Sequence, residues 1–461
     1  MSKVMILEWI DANHKPFDDL ALAHWNNPEL AYKEYEAVRL QMDFLRERGF
    51  VVTQKEGMPT AFMAEWGAGG PVIGILGEYD ALGGLSQAVS AAKEPLREGE
   101  PGHGCGHNLL GVYSMLAACA VKEALAAEGK SGTVRYYGCP AEEQLTGKAE
   151  MAKLGYFDGT DVSITWHPWD VSTVTDSTMT ALFSAKFRFT GRSAHAGATP
   201  EAGRSALDAV ELMNVGANYL REHMVDQDRL HYVITNGGQA PNIVPAEAEV
   251  WYFGRSPSSE ELQSLWQRLN KVAQGAAMMT ETEVSSQLLG GCYNTLPNKV
   301  LNRVLDANLR AFAGTIPFDE SELAFAVELQ QTLPPAQVAA ALARAVGLSE
   351  SDRVLASNPL PCFDSGTFIM GSSDVGDVAN IMPTSMLWGC AWPVGVAAHT
   401  WQAVASTGSS IGLKGSVQAA KAMAGTVYDL ASEPALIDEA KKEFMVRRGG
   451  KAYCPVEDLL A

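Results

Sequence analysis

The sequence predicts an α/β protein with a mostly parallel sheet, carrying an inserted ferredoxin-like domain of βαββαβ order. Two observations predict it. Before residue 180, short continuous apolar runs alternate with segments of helical periodicity, the pattern of strands buried on both faces and joined by helices. Between 180 and 293 the order becomes strand, helix, strand, strand, helix, strand, in a length suited to one small domain. The larger domain is therefore predicted at 1–179 and 294–461, and the insertion at 180–293.

Each element has its own signal. "EYEAVRLQMDFLRERG" (34–49) is periodic and ends at glycine, which predicts a helix. "VIGILG" (72–77), "TVRYYG" (133–138) and "VSITW" (162–166) predict strands, and "NLLGVYSMLAACAVKEALAAEG" (108–129) a long helix between the first two. In the insertion, "FSAKFRFTG", "RLHYVITNGG", "AEVWYFG" and "EVSSQLLG" predict four strands. "GRSALDAVELMNVGANYLREHM" and "SEELQSLWQRLNKVAQGAAMM" predict its two helices. Helices resume at "PNKVLNRVLDANLRAFAG" and "GSVQAAKAMAGTVYDLA", while 314–372 is read only as rich in loops and helices.

Composition narrows the function. The 461 residues are 47% hydrophobic and 19% charged, enough for a large core and more than one domain. A formal net charge of −19 repels nucleic acid and anionic lipid, so neither is expected as a partner. No apolar run is expected to reach the roughly 18 residues of a membrane span, and the N-terminal stretch lacks a signal peptide's pattern. Seven scattered cysteines without framework spacing suit a reduced, cytoplasmic protein.

Four segments that follow strands or precede a helix carry the donors: "GEYDALGG" (77–84), "GHGCGH" (102–107), "CPAEEQ" (139–144) and "WHP" (166–168). Ligands of open α/β sheets sit at the carboxyl ends of strands, so these segments are expected to converge. Cys105, His107, one carboxylate of the pair Glu142-Glu143, His167 and His399 make five S, N and O donors. Five exceed one tetrahedral zinc site and suit two ions, with the other glutamate free for a water. The glycines of 102–106 are expected to clear space for the two ions. Structural alternatives stand beside each residue: packing for Cys105, a solvated helix face for the glutamates, strand capping for His167. His103 is expected to support the loop rather than to ligate.

Taken together, "GHGCGHN", "CPAEEQLTGKAEM", "WHP", "GRSAHAGATPEAGRSALDA", "PNIVPAEAEV" and "HTWQ" resemble the aminoacylase/carboxypeptidase-type dinuclear metalloamidohydrolases. Within that family they are most similar to the cysteine-ligand subfamily of amino-acid-conjugate amidohydrolases. The resemblance implies a catalytic domain with an inserted lid that also dimerises. It implies Cys105, His107, Glu143, His167 and His399 as ligands of two divalent ions, zinc or manganese, and Glu142 as the general base. It further implies that His195 stabilises an oxyanion across a dimer, and that Asn242 and Arg255 hold a substrate carboxylate. Where much of the broader family carries His-x-Asp, this chain has Glu78-Tyr79-Asp80, which leaves the roles of Glu78 and Asp80 open, with Asp80 a candidate for orienting a ligand; Glu201 stands where many relatives carry histidine.

The activity implied is hydrolysis of the amide bond of N-acyl or N-aroyl amino acids, with p-aminobenzoyl-glutamate the first candidate. Indoleacetyl-aspartate-type conjugates and dipeptides follow. The working form would be a homodimer, or a heteromer with a homologous subunit. Two rivals are a non-catalytic binding subunit and thiol catalysis by Cys105 with His107 as base.

Overall fold

The computed structural model describes residues 2–362 and 367–461. The apolar runs form strands Val72–Glu78, Gly132–Cys139 and Val162–Trp169, which lie side by side and parallel, with Thr384–Cys390 as a fourth parallel neighbour. The seven-stranded sheet runs Val51–Thr53, Phe62–Ala68, Gly132–Cys139, Val72–Glu78, Val162–Trp169, Thr384–Cys390, Thr173–Val174. Its flanking strands pair antiparallel, so the sheet is parallel at its centre and antiparallel at both margins.

Helix His107–Glu128 packs on strand Val72–Glu78 and on helix Ser410–Ser432. One expectation needs correction here. His107–Glu128 is long and apolar enough to span a membrane by composition alone. Its side chains from His107 to Val121 are all buried, as a core helix requires. The stretch 314–372 resolves into helices Glu320–Gln331 and Pro335–Arg344, the first opened by a reciprocal cap between Asp319 and Glu322. Residues 363–366 of that stretch lie outside the described residues.

The chain divides into two compact units: Met1–Ser177, Leu296–Thr367 and Val378–Lys451 in one; Thr178–Thr295, Phe368–Asp377 and Ala452–Ala461 in the other. The second unit's sheet is antiparallel throughout, in the order Glu283–Cys292, Ala181–Thr190, Glu247–Ser256, Arg229–Asn236. Helices Ala206–Leu220 and Ser259–Thr280 pack together, and their Val210, Met213, Leu265 and Leu269 share a core with Phe183, Phe187 and Phe189. The sequence assigned all of 294–461 to the larger domain, and here the structure differs. Val456 and Leu460 join the second core, and the Trp266 indole donates to the Leu460 carbonyl at 2.9 Å. So short a segment leaves no periodic signal of the core it joins.

Candidate metal centre

The donors gather at the carboxyl ends of the four parallel strands. Glu78 ends one strand, level with Cys139 on its neighbour, and Glu142 and Glu143 follow Cys139 after Pro140 and Ala141. His167 lies within the next strand, level with Trp388, and His399 follows the fourth. Cys105 and His107 stand at the start of the core helix, whose first residue is His107.

Two groups of donors, each with its ligating atoms within 4.8 Å of one another, share Cys105: Cys105–His107–His167 and Cys105–Glu143–His399. The Cys105 sulfur is 3.3 Å from His167 Nε2, and His399 Nε2 is 3.3 Å from Glu143 Oε2. All five sequence-predicted ligands are thus together, and Glu142 joins them, with Oε2 3.9 Å from His107 Nε2. Among the described residues His103 enters no such group.

Hydrogen bonds set the rings for ligation. His107 Nδ1 donates to Asp80 Oδ1 at 2.9 Å, and His167 Nδ1 donates to the Pro168 carbonyl at 2.8 Å. Each leaves its Nε2 lone pair facing the donor cluster, the usual orientation of a metal-ligating histidine. His107 Nε2 and Glu143 Oε1 are buried without a hydrogen-bond partner, which a bound cation would satisfy. Burial pushes the Cys105 thiol well up, and Glu143 adds to it, so the sulfur needs a cation to become a thiolate ligand. Burial, and then His107, hold His167 down at about 4, which keeps its ring neutral as ligation demands. Burial opposes a charge on His107, yet Cys105 and Asp80 raise its pKa well above the ordinary value, a sign of the cation-seeking field here. Thiol catalysis fares poorly in this setting, because a nucleophilic cysteine needs its pKa lowered.

The glycines act differently from expectation. A Cβ on Gly102 would come within 2.2 Å of the Leu85 carbonyl oxygen, and Gly106 has φ +78° with Pro168 side-chain atoms 2.8 Å from its would-be Cβ. They clear space for the Leu85 backbone and for the Pro168 ring, and so let Cys105 and His107 turn into the site. Gly106→Ala should therefore remain folded but retain less metal after dialysis. The strain of a left-handed alanine, about 1–2 kcal/mol, adds to the clash with Pro168.

Asp80, a sequence candidate for orienting a ligand, stands in that position in the structure. One oxygen accepts from His107 Nδ1 and the other from the Glu143 backbone N–H at 2.8 Å. It couples one ligand from each donor group. Asp80→Ala should weaken metal retention by about 10–100-fold in a chelator titration, the usual worth of such a support.

Glu78 and Lys148 were not foreseen as a pair. Lys148 is wholly buried and donates to Glu78 Oε1 at 2.6 Å, while Glu78 Oε2 lies 3.3 Å from His107 Nε2. Burial opposes the Glu78 charge, but Lys148 and the histidines hold its pKa below the ordinary value. Glu78 also groups with His107 and Glu142 within 4.8 Å. No local pattern marks Lys148, since only tertiary packing brings it to Glu78.

His195, Asn242 and Arg255 belong to the second unit. His195 is exposed, and its Nδ1 accepts from the N–H groups of Gly197 and Ala198, which leaves Nε2 as its donor atom. Asn242 is a neighbour, its carbonyl accepting from Ala196 N at 3.0 Å. Arg255 is half-buried on strand Glu247–Ser256 and donates to Ser372 Oγ at 2.7 Å.

Comparison with known proteins identifies the family and the fold. A family model described as a peptidase dimerisation domain, of the M20 type, matches residues 180–278. The chain is 40% identical to the B-type subunit of p-aminobenzoyl-glutamate hydrolase from Escherichia coli K12, over 97% of this chain and 96% of that protein. The chain belongs to the M20 peptidase family. A second relative is Xaa-Arg dipeptidase of Mus musculus, 29% identical over 95% of this chain and 90% of its own length. In fold, the chain resembles a Bacillus subtilis dinuclear metal binding peptidase of the M20 family, with a TM-score of 0.58 at 16% identity, covering 91% of this chain and 99% of that one. The resemblance read from the motifs is borne out, and this M20 chain is a hydrolase of amide bonds.

Proposed function

We propose that this chain hydrolyses N-acyl or N-aroyl amino acids, with p-aminobenzoyl-glutamate as the first substrate, at a centre of two zinc or manganese ions. The observation that carries this reading is Cys105 shared between two donor groups, with Glu142 beside them. Cys105, His107 and His167 would hold one ion; Cys105, Glu143 and His399 the other. When bound, such ions polarise an amide carbonyl and bring the pKa of water towards about 7.

The chain's own residues do the rest. Glu142 takes the proton of the attacking water and returns it to the departing nitrogen as the C–O bond forms and the C–N bond breaks. His195 offers its Nε2–H to the oxyanion of a neighbouring copy's substrate, and Asn242 and Arg255 bind the amino acid's carboxylate. Exposed Tyr232, Val233 and Ile234 on the edge strand Arg229–Asn236 support pairing with a second copy or with a homologous subunit. Seven cysteines, with no disulfide among the described residues, support a reducing, cytoplasmic setting.

The test is metal content and turnover of the purified chain. Release of p-aminobenzoate and glutamate, abolished by a chelator and restored by zinc or manganese, is the expected result. Hydrolysis of dipeptides instead would move the substrate towards that of the mouse relative. Failure across a broad N-acyl-amino-acid panel with metal present would overturn the reading.

A further inference from the structure

The short turn Glu142–Gln144 is flanked by two residues in the left-handed region, Ala141 at φ 56° and Leu145 at φ 58°. Residues with a Cβ adopt this region rarely, and such a turn persists only where its surroundings hold it. Two side chains from one N-terminal segment do so. Glu34 Oε1 accepts from the Ala141 N–H at 2.8 Å, and the Tyr32 hydroxyl lies 2.7 Å from Thr146 Oγ1.

Glu34 is placed to cap its own helix, Tyr35–Glu47, yet its side chain does not. Glu29 takes that work, accepting from the N–H groups of Glu36 and Ala37 at 3.1 and 2.8 Å. Glu34 is thereby free to reach the catalytic turn. It is fully buried, with Oε2 lacking a hydrogen-bond partner, an arrangement that is unfavourable in itself. Burial, and then the charge of Asp80, push its pKa up to about 8, so the neutral acid prevails at neutral pH and glutamine is a close mimic.

We infer that Glu34, assisted by Tyr32, is a positioning residue that holds the left-handed turn presenting Glu142 to the substrate and Glu143 to His399. The inference rests on the reading of Glu142 as general base and Glu143 as ligand. It makes Glu34 act through one backbone hydrogen bond, so its acceptor oxygen matters and its charge does not.

The experiment compares Glu34→Ala, Glu34→Gln and the double variant Glu34→Ala/Ala141→Gly as full-length, metal-loaded proteins. Glu34→Ala should lose about 100-fold in kcat, the scale of a 1 Å misplacement, with KM changed little. One ion of its two should pass to a chelator early, because only the Glu143–His399 group is disturbed. Glu34→Gln should recover both properties, and Ala141→Gly should recover part of kcat in the alanine variant, since glycine adopts the turn unaided. Wild-type kcat in Glu34→Ala, a glutamine variant as poor as the alanine one, or equal loosening of both ions would overturn the inference. The chelator result decides the matter even if the wild type hydrolyses a different amide. A wild type that takes up no ion would overturn the metal centre and this role together.

Discussion

Cys105→Ala protein should lose both metal ions and all measurable hydrolysis while keeping its fold. The sulfur is the one donor common to Cys105–His107–His167 and Cys105–Glu143–His399, so its removal weakens both groups at once. Supports that touch a ligand without ligating are already worth about 10–100-fold in affinity, and a shared ligand should exceed that. The control is built into the same centre. His167→Ala removes a donor from one group and His399→Ala from the other, so each should release about one ion per chain under a chelator that strips both from Cys105→Ala. Metal analysis after dialysis, with thermal unfolding of each variant, reads the result. Equal metal content in wild type and Cys105→Ala would show the sulfur to be packing only. Cys105→Asp is informative too. A harder carboxylate in place of thiolate should shift preference from zinc towards manganese.

Glu142→Gln should keep both ions and lose kcat by about 10²–10⁴, the usual worth of a general acid–base group. Glutamine has the same shape, and in this assignment Glu142 ligates neither ion, so metal content and KM should change little. The contrast with Cys105→Ala is the point: one variant loses metal and chemistry together, the other chemistry alone. A Glu142→Gln protein that sheds an ion would make Glu142 a ligand and move the base elsewhere in the cluster. A variant with wild-type kcat would remove it from the mechanism.

Much of this centre was legible in one dimension because its donors are of rare chemistry at tight spacing. Cys105-x-His107 lies among glycines before an apolar helix, and Glu142-Glu143 follows a buried strand and a proline. Parallel strands place their carboxyl ends together, so strand prediction alone brought those segments and His167 to one edge. The ferredoxin-like insertion was legible from its order of strands and helices, and its strand Glu247–Ser256 alternates buried and half-buried positions. The antiparallel margin was not. Strand Val51–Thr53 is short and largely exposed, and its pairing with Phe62–Ala68 has no signature within either segment.

By itself, then, the sequence determined the candidate donors, the order of strands and helices, and the amidohydrolase family, because these depend on residue type and local period. Tertiary structure decided how the donors divide: Cys105 shared, Asp80 joining His107 to the Glu143 backbone, Lys148 beside Glu78, and Glu34 beneath Ala141. Those partners stand 63, 70 and 107 residues apart in the last three cases. Hydrogen bonds and ion pairs act over about 3 Å whatever the separation along the chain, and only packing brings such residues within that reach.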